Sequence, residues 1–562
     1  MRKSWRNTSL LLFGLTLVAG GIYGSRIQAL TDEARSSLRL YTELVTAAHE
    51  NYGADVNYRD LVYASINGMV RTLDPHTNFL PPQAYTGMRE RQQSSFYGLG
   101  ILVSMRSGRV TVITPIEGGP ASRLGIQAGD IIDTIDGEST EGLVLDEAVG
   151  KLKGPKGTEV TITILRHNLE KPLEFTVARA EIPLTTVRYS YMLTPDTGYM
   201  RITDFNRGTA KEVADSIHQL REQGMKRLLL DLRNNGGGLL DQAIEVSDQF
   251  VPEGTKIVET RGRTRSSQQA FFAGEQYDEL DMPLVVLVNT GTASAAEILA
   301  GAIQDHDVGV IAGTPTWGKG LVQTVYSLSY GAGLALTTAR YYTPSGRLIQ
   351  RDYSSYYDYY SYDGQPQQTA DTDEAQPEAP PAITTEDLEV QGEAKTPEAD
   401  PRQTFTTDLG RKVYAGGGIA PDVTVELDPL TPFAQHLLTY NAFFDFGVEY
   451  QDKHPVHSEQ WQPDGKVLES FKQWLVEKKI NTADELAEGF ADAGNREYAL
   501  RQIHAEVFNA VYGQNAWHRV LAQGDAQIQE GLDLFDRAAK LLARRDALRQ
   551  EQLAEQKPQQ QP

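Results

Sequence analysis

The chain has 562 residues, no cysteine, a 40% hydrophobic content and a formal net charge of −22. That length accommodates roughly two to four domains, each able to bury its own core. Without cysteine there are no disulfides, thiolate metal sites, cysteine nucleophile or lipidated cysteine anchor, and the acidic balance without a basic stripe argues against a nucleic-acid surface.

Arg2, Lys3 and Arg6 precede an apolar run from Leu10 to Tyr23. This is the pattern of an export signal whose basic end stays in the cytoplasm. The run is shorter than the roughly 20 residues that span a bilayer comfortably. Residues 1–25 are therefore expected to form a signal peptide or a membrane anchor, removed or retained. The expected location is periplasmic or otherwise extracytoplasmic, at the inner membrane if the segment is retained. Residues 26–95 read as helical, with Leu38, Tyr41, Val45 and Ala48 on one face and Val62, Ile66, Met69 and Leu73 on another. Asp74-Pro75-His76 breaks the pattern.

Between residues 96 and 180 the pattern changes to short strands and glycine turns. Tyr97-Gly98-Leu99-Gly100-Ile101 is a glycine loop leading into a strand. Arg109–Ile113 reads as a strand, Pro120–Leu124 as a short helix, and Ala128-Gly129-Asp130 as the start of another strand. Leu145–Leu152 reads as a second helix and Val160–Leu165 as a final buried strand. This order resembles a PDZ domain, with Tyr97, Gly98, Leu99, Gly100 and Ile101 as the loop that receives a peptide carboxylate. Glycines let successive N–H groups converge on an anion, and the strand that follows can pair with an extended peptide. A PDZ-shaped spacer without a ligand is the alternative.

From residue 181 to 425 apolar strands alternate with helical stretches, an α/β signature. Strand Arg227–Leu232 runs into Arg233-Asn234-Asn235-Gly236-Gly237-Gly238, strand Leu284–Val288 into Asn289-Thr290-Gly291-Thr292-Ala293-Ser294, and Val308–Ala312 leads towards Trp317-Gly318-Lys319-Gly320. Residues 352–402 are rich in Gln, Pro, Glu, Asp and Thr and are expected to form a disordered acidic insertion. Residues 426–552 read as helical. Leu468, Phe471, Trp474 and Leu475 form one stripe, and Ile528, Leu532, Phe535, Ala539 and Leu542 another, suited to core packing or to an oligomer interface. Residues 553–562 are expected to form a disordered tail.

A serine at a strand-to-helix turn and a lysine between two glycines point to a Ser–Lys hydrolase. A serine hydroxyl becomes nucleophilic when a base takes its proton, and a desolvated lysine can be that base. The amine must then be neutral, which requires its pKa to fall from about 10.4 towards 7 to 8. Gln323 can hydrogen-bond that amine without charging it, whereas a carboxylate would raise its pKa. His76 and His306 belong to no hydrolase motif. His454-Pro455-Val456-His457 is interrupted by proline, and neither a metal nor another cofactor is predicted.

Taken together, Gly68-Met69, Leu73-Asp74-Pro75-His76, Asp231-Leu232-Arg233-Asn234-Asn235, the serine and lysine segments, Thr337–Gly346 and Gly418-Ile419-Ala420-Pro421-Asp422 resemble the carboxyl-terminal processing peptidases, also called tail-specific proteases. The resemblance runs from about Leu38 to Val425, outside the acidic insertion. It implies Ser294 as nucleophile, Lys319 as general base, Gln323 as the residue that positions the lysine, and the N–H groups of Gly237 and Ala295 as the oxyanion hole. It also implies that Arg166 reports PDZ occupancy to the peptidase. Thr292, Gly236 and Trp317 depart from the family's usual serine, proline and phenylalanine. The expected fold is multidomain α/β: an N-terminal helical segment, a PDZ-like β-rich domain, an α/β peptidase core and a C-terminal helical region. Expected partners are proteins with flexible C-terminal tails, an adaptor protein and a second copy of the chain. The competing function is an exported peptide-binding scaffold with an inactive core; a trypsin-like protease lacks its serine context here.

Overall fold

The computed structural model describes Asp32, residues 34–353 apart from 168 and 275–279, and residues 403–556 apart from 428. The apolar run Leu10–Tyr23 and nearly all of the expected acidic insertion lie outside the described residues. The chain divides into two units, Met1–Pro82 with Thr324–Leu336, and Gln83–Gln323 with Thr337–Pro562.

In the first unit, helix 34–51 precedes helix Tyr58–Arg71. The two meet where Tyr41 bonds Ser65 at 2.5 Å and His49 packs on Tyr58 with ring centroids 3.9 Å apart. The Asp74-Pro75-His76 break is an Asx turn, the Asp74 carboxylate accepting from the N–H groups of His76 and Thr77 at 2.8 Å each. Beyond it, Asn78–Leu80, unforeseen as a strand, pairs antiparallel with Gly333–Ala335.

The second unit begins its β-rich part with a sheet in the order Ile101–Arg106, Arg109–Pro115, Ile131–Ile135, Glu159–Leu165, Leu173–Ala178. The last strand was missed, because its outward residues are polar and only Val177 is fully buried. Val110, Val112, Ile132, Ile162 and Ile164 form the core beneath helix Leu145–Leu152. Strand Ile101–Arg106 lies at the sheet's edge.

The α/β part is built on a six-stranded sheet among the described residues, in the order Val187–Met192, Thr197–Ile202, Arg227–Asp231, Leu284–Val288, Val310–Gly313, Val423–Thr424. All neighbours are parallel except the first pair. Covering both faces requires strands apolar on both sides, which is why Leu284–Val288 is an unbroken apolar run and wholly buried. Leu228, Leu230, Val286 and Val288 pack on the side of helices Thr209–Glu222, Leu240–Asp248 and Ala295–Asp305. Leu229, Val285 and Leu287 face the other way, against Ile528, Phe535, Ala538 and Leu541.

The second C-terminal stripe is therefore core. Its register differs from the expected one: Ala538 and Leu541 are buried while Ala539 is exposed, because the chain turns at Leu534 between helices Ala526–Asp533 and Phe535–Gln556. The first stripe, Leu468, Phe471, Trp474 and Leu475, fills a separate helical core. The last helix reaches Gln556, past the expected start of the tail at 553.

Candidate active site

Asn289 to Ala293 form a turn closed on itself and tied to the neighbouring strand. Asn289 N–H donates to Thr292 Oγ1 at 3.0 Å, and Thr292 N–H donates to Asn289 O at 2.8 Å. Thr292 Oγ1 donates to Leu232 O at 2.9 Å, and Ala293 N–H donates to Asn235 O at 2.8 Å. A threonine therefore does here what a serine hydroxyl would do. Ser294 follows with φ 57° and ψ −116°, a conformation that costs a non-glycine residue about 1–3 kcal/mol and marks functional turns. Its hydroxyl makes no capping bond to the helix that begins at Ala295.

The cap comes from Glu297, fully buried one turn on. Its Oε2 accepts from Ser294 N–H at 2.8 Å and from Lys319 N–H at 2.9 Å. Its Oε1 accepts from Thr316 Oγ1 at 2.5 Å and Gly318 N–H at 2.7 Å. Burial pushes this carboxyl above its ordinary range, while the four donors pull the other way. One carboxylate thus fastens the serine turn to the lysine loop. The sequence held a signal for half of this, since Ser-x-x-Glu is a capping-box pattern; nothing in it announced the bond to the lysine loop. Tyr341, also unforeseen, stands between the same two segments, with its hydroxyl 2.6 Å from Lys319 O and 3.0 Å from Ser294 O.

Lys319 is half-buried, and its amine donates to Gln323 Oε1 at 3.3 Å. Among the described residues, no hydrogen bond joins this amine to the Ser294 hydroxyl. Gly318 has φ +84°, and a Cβ there would lie 2.9 Å from Gly418 N, so the glycine before the lysine is required by close approach of the Gly416–Gly418 turn.

Gly237 lies against the serine: at φ +98°, a Cβ on it would sit 2.7 Å from Ser294 Cβ. Its N–H, however, donates to Asn235 Oδ1 at 2.9 Å. Ala295 opens the helix, so its N–H has no acceptor within that helix. His306 caps the opposite end of this helix, on the order of 16 Å away along its axis, where it contacts Asp408 and Lys256 O at 2.8 and 2.7 Å.

In the β-rich part the glycine loop is shorter than expected. Tyr97 and Gly98 belong to strand Ser95–Gly98, paired with Glu181 and Ala180, and Ile101 starts the edge strand. Leu99 and Gly100 form the loop proper, with Gly100 at φ +73°. Their carbonyls accept from Ala121 and Ile116 at 3.0 and 2.9 Å, and their N–H groups meet no protein acceptor among the described residues. Arg166 is engaged within this domain: Nε and one terminal nitrogen each donate to Asp130 at 2.7 Å, and a bond to Gly125 O follows at 2.9 Å. The structure does not bring it to the serine site.

Residues 196–354 match the model of peptidase family S41, and residues 111–166 match that of the PDZ domain. A carboxyl-terminal-processing protease of Synechocystis sp. is 38% identical over 370 residues, covering 62% of this chain and 86% of that protein. The chain belongs to peptidase family S41. A carboxy-terminal-processing protease of Bartonella bacilliformis is 43% identical over 296 residues, covering 52% of this chain and 67% of that one. Among solved structures, a photosystem II D1 C-terminal processing protease is 31% identical over 55% of this chain and 89% of its own, with a TM-score of 0.32. As an S41 member, this protein is a serine-type peptidase carrying a PDZ domain.

Proposed function

We propose that this S41 peptidase cleaves proteins near flexible C-terminal tails through an acyl-enzyme formed on Ser294. The observation that carries the reading is the convergence of Ser294 N–H and Lys319 N–H on one atom, Glu297 Oε2, at 2.8 and 2.9 Å. It holds a nucleophile and a base in a fixed relation that a scaffold has no need of. Lys319 Nζ takes the Ser294 proton as Oγ bonds the scissile carbonyl carbon. The carbonyl oxygen becomes an oxyanion received by Ala295 N–H and by Gly237 N–H, which has to release Asn235 Oδ1. Each such donor is worth about 2.7–4 kcal/mol in the transition state. The ammonium then protonates the leaving amine as the C–N bond breaks, and the neutral amine activates water for deacylation. Gln323 Oε1 orients the amine between these steps.

The tail adds as a strand to Ile101–Arg106, and its carboxylate is received by the N–H groups of Leu99 and Gly100. The basic and apolar residues before Ser25 support a location outside the cytoplasm. Ser294→Ala is expected to abolish both tail cleavage and labelling by a serine-directed fluorophosphonate. Cleavage at the normal rate by the purified variant would sink the assignment and favour the inactive scaffold.

A further inference from the structure

Arg233 stands four residues before Gly237, and its side chain is held by two parts of the chain that are far apart in sequence. Asp231, at the end of strand Arg227–Asp231, accepts from Arg233 Nε at 3.0 Å, from its NH2 group at 2.7 Å and from its backbone N–H at 2.9 Å. The remaining terminal nitrogen donates to Asp525 Oδ1 at 3.0 Å and Gln527 Oε1 at 2.8 Å. Both acceptors come from the C-terminal helical region. The arginine side chain is only 6% exposed, so without them this nitrogen would have no water to turn to.

We propose that Asp525 and Gln527 are positioning residues of the peptidase site, which makes the C-terminal helices part of the catalytic apparatus. The proposal rests on the Ser294 reading and extends it to the loop that carries Gly237. Their geometry suits the task. Asp525 caps helix Ala526–Asp533, accepting from Ile528 N–H at 3.1 Å, and Gln527 donates to Val425 O at 2.7 Å. Each acceptor is thus fixed before it meets the guanidinium.

The other side of Asp231 is bounded by the same region. Tyr199 donates to Asp231 Oδ2 at 2.7 Å and lies 3.4 Å from His518 Nε2, while His518 stacks on Tyr189 at 4.0 Å. The link to the serine is short. Arg233 leads directly into Asn234, at φ 59°, and Asn235, whose carbonyl receives Ala293 N–H and whose side chain anchors on Ile202 O at 2.9 Å. A guanidinium released from the C-terminal side would let Asp231 and Arg233 rotate together, and with them the carbonyl-to-amide run that ends beside Ser294. The consequence falls on the oxyanion donor, not on the capture of the tail.

The test uses the full chain, with cleavage of a tailed protein substrate and the rate of fluorophosphonate acylation as readouts. Asp525→Asn keeps the helix cap on Oδ1 and sets an amide nitrogen in place of the Oδ2 that lies 2.9 Å from the guanidinium. Gln527→Met removes the acceptor at similar size, and Gln527→Glu keeps an acceptor for Arg233 while losing the donor to Val425. The Asn/Met double variant is expected to lose roughly tenfold or more in kcat and acylation rate, with KM within about twofold. Gln527→Glu is expected to retain kcat within about twofold, a rescue that a purely structural contact would not show. A folded double variant with unchanged kcat, or a folded Gln527→Glu as impaired as Gln527→Met, would overturn the proposal. Ser294→Ala is run alongside: if it stays active, the nucleophile assignment fails, whereas a dead Ser294→Ala with a fully active double variant defeats only this inference.

Discussion

Glu297 shows how much of the proposed catalytic arrangement depends on one buried carboxylate. Its two oxygens accept two donors each, so an ionised carboxylate satisfies the site and any donor in its place does not. In Glu297→Gln the amide nitrogen faces two N–H groups in one orientation, and the Gly318 N–H with the Thr316 hydroxyl in the other. Hydrogen bonds to a charged acceptor are worth about 1.5–3 kcal/mol each, and we expect kcat to fall at least tenfold, on the order of one such bond. The folded fraction and KM should change little; steady-state kinetics beside a thermal melt checks this, and an unchanged kcat contradicts it. Ser294, Lys319 and Gln323 could be named as candidates from the sequence because nucleophile chemistry restricts residue type and spacing, and the structure joins Lys319 to Gln323 at 3.3 Å. The engagement of Gly237 N–H by Asn235 was not, since it depends on which of several backbone donors the Asn234–Gly238 turn points inward.

At the scale of elements, the helix Ala295–Asp305 starts at the proposed nucleophile Ser294 and ends at a titratable contact. His306 follows its last residue and is pinned between Asp408 and Lys256 O. Burial alone would lower its pKa, but the Asp408 carboxylate and the bond to Lys256 O raise it above the ordinary histidine value. A raised folded pKa means that the folded state binds the proton more tightly. The resulting stability is complete below the unfolded value of about 6.5 and is lost as pH rises through the folded pKa. Denaturant midpoints of wild type and His306→Gln should therefore differ most near the acid end and converge on the alkaline side; a constant gap rules this out. Strand and helix existence was well marked by periodicity here, as Leu284–Val288 and Leu145–Leu152 show. Asn78–Leu80 and Leu173–Ala178 escaped, being too short or too polar for an alternation signal.

Across the whole molecule, the C-terminal helices close the second face of the peptidase sheet and also meet the PDZ domain. Arg106 stacks over Phe444 at 3.9 Å, and a Cβ on Gly129 would lie 2.7 Å from Val448. An apolar helical stripe announces that something covers it, and cannot say whether that is the same chain or another, so this arrangement was open until the fold was known. The architecture joins PDZ domain, peptidase sheet and helical cover in one unit, and the proposed chemistry turns on a single proton transfer. The most direct test follows the rate of fluorophosphonate acylation of Ser294 across pH in wild type and Lys319→Ala. Lys319 acting as the base predicts a rise through an apparent pKa well below the ordinary lysine value of about 10.4, and a loss of that rise with the lysine. An unaltered profile in Lys319→Ala would show that another group takes the proton.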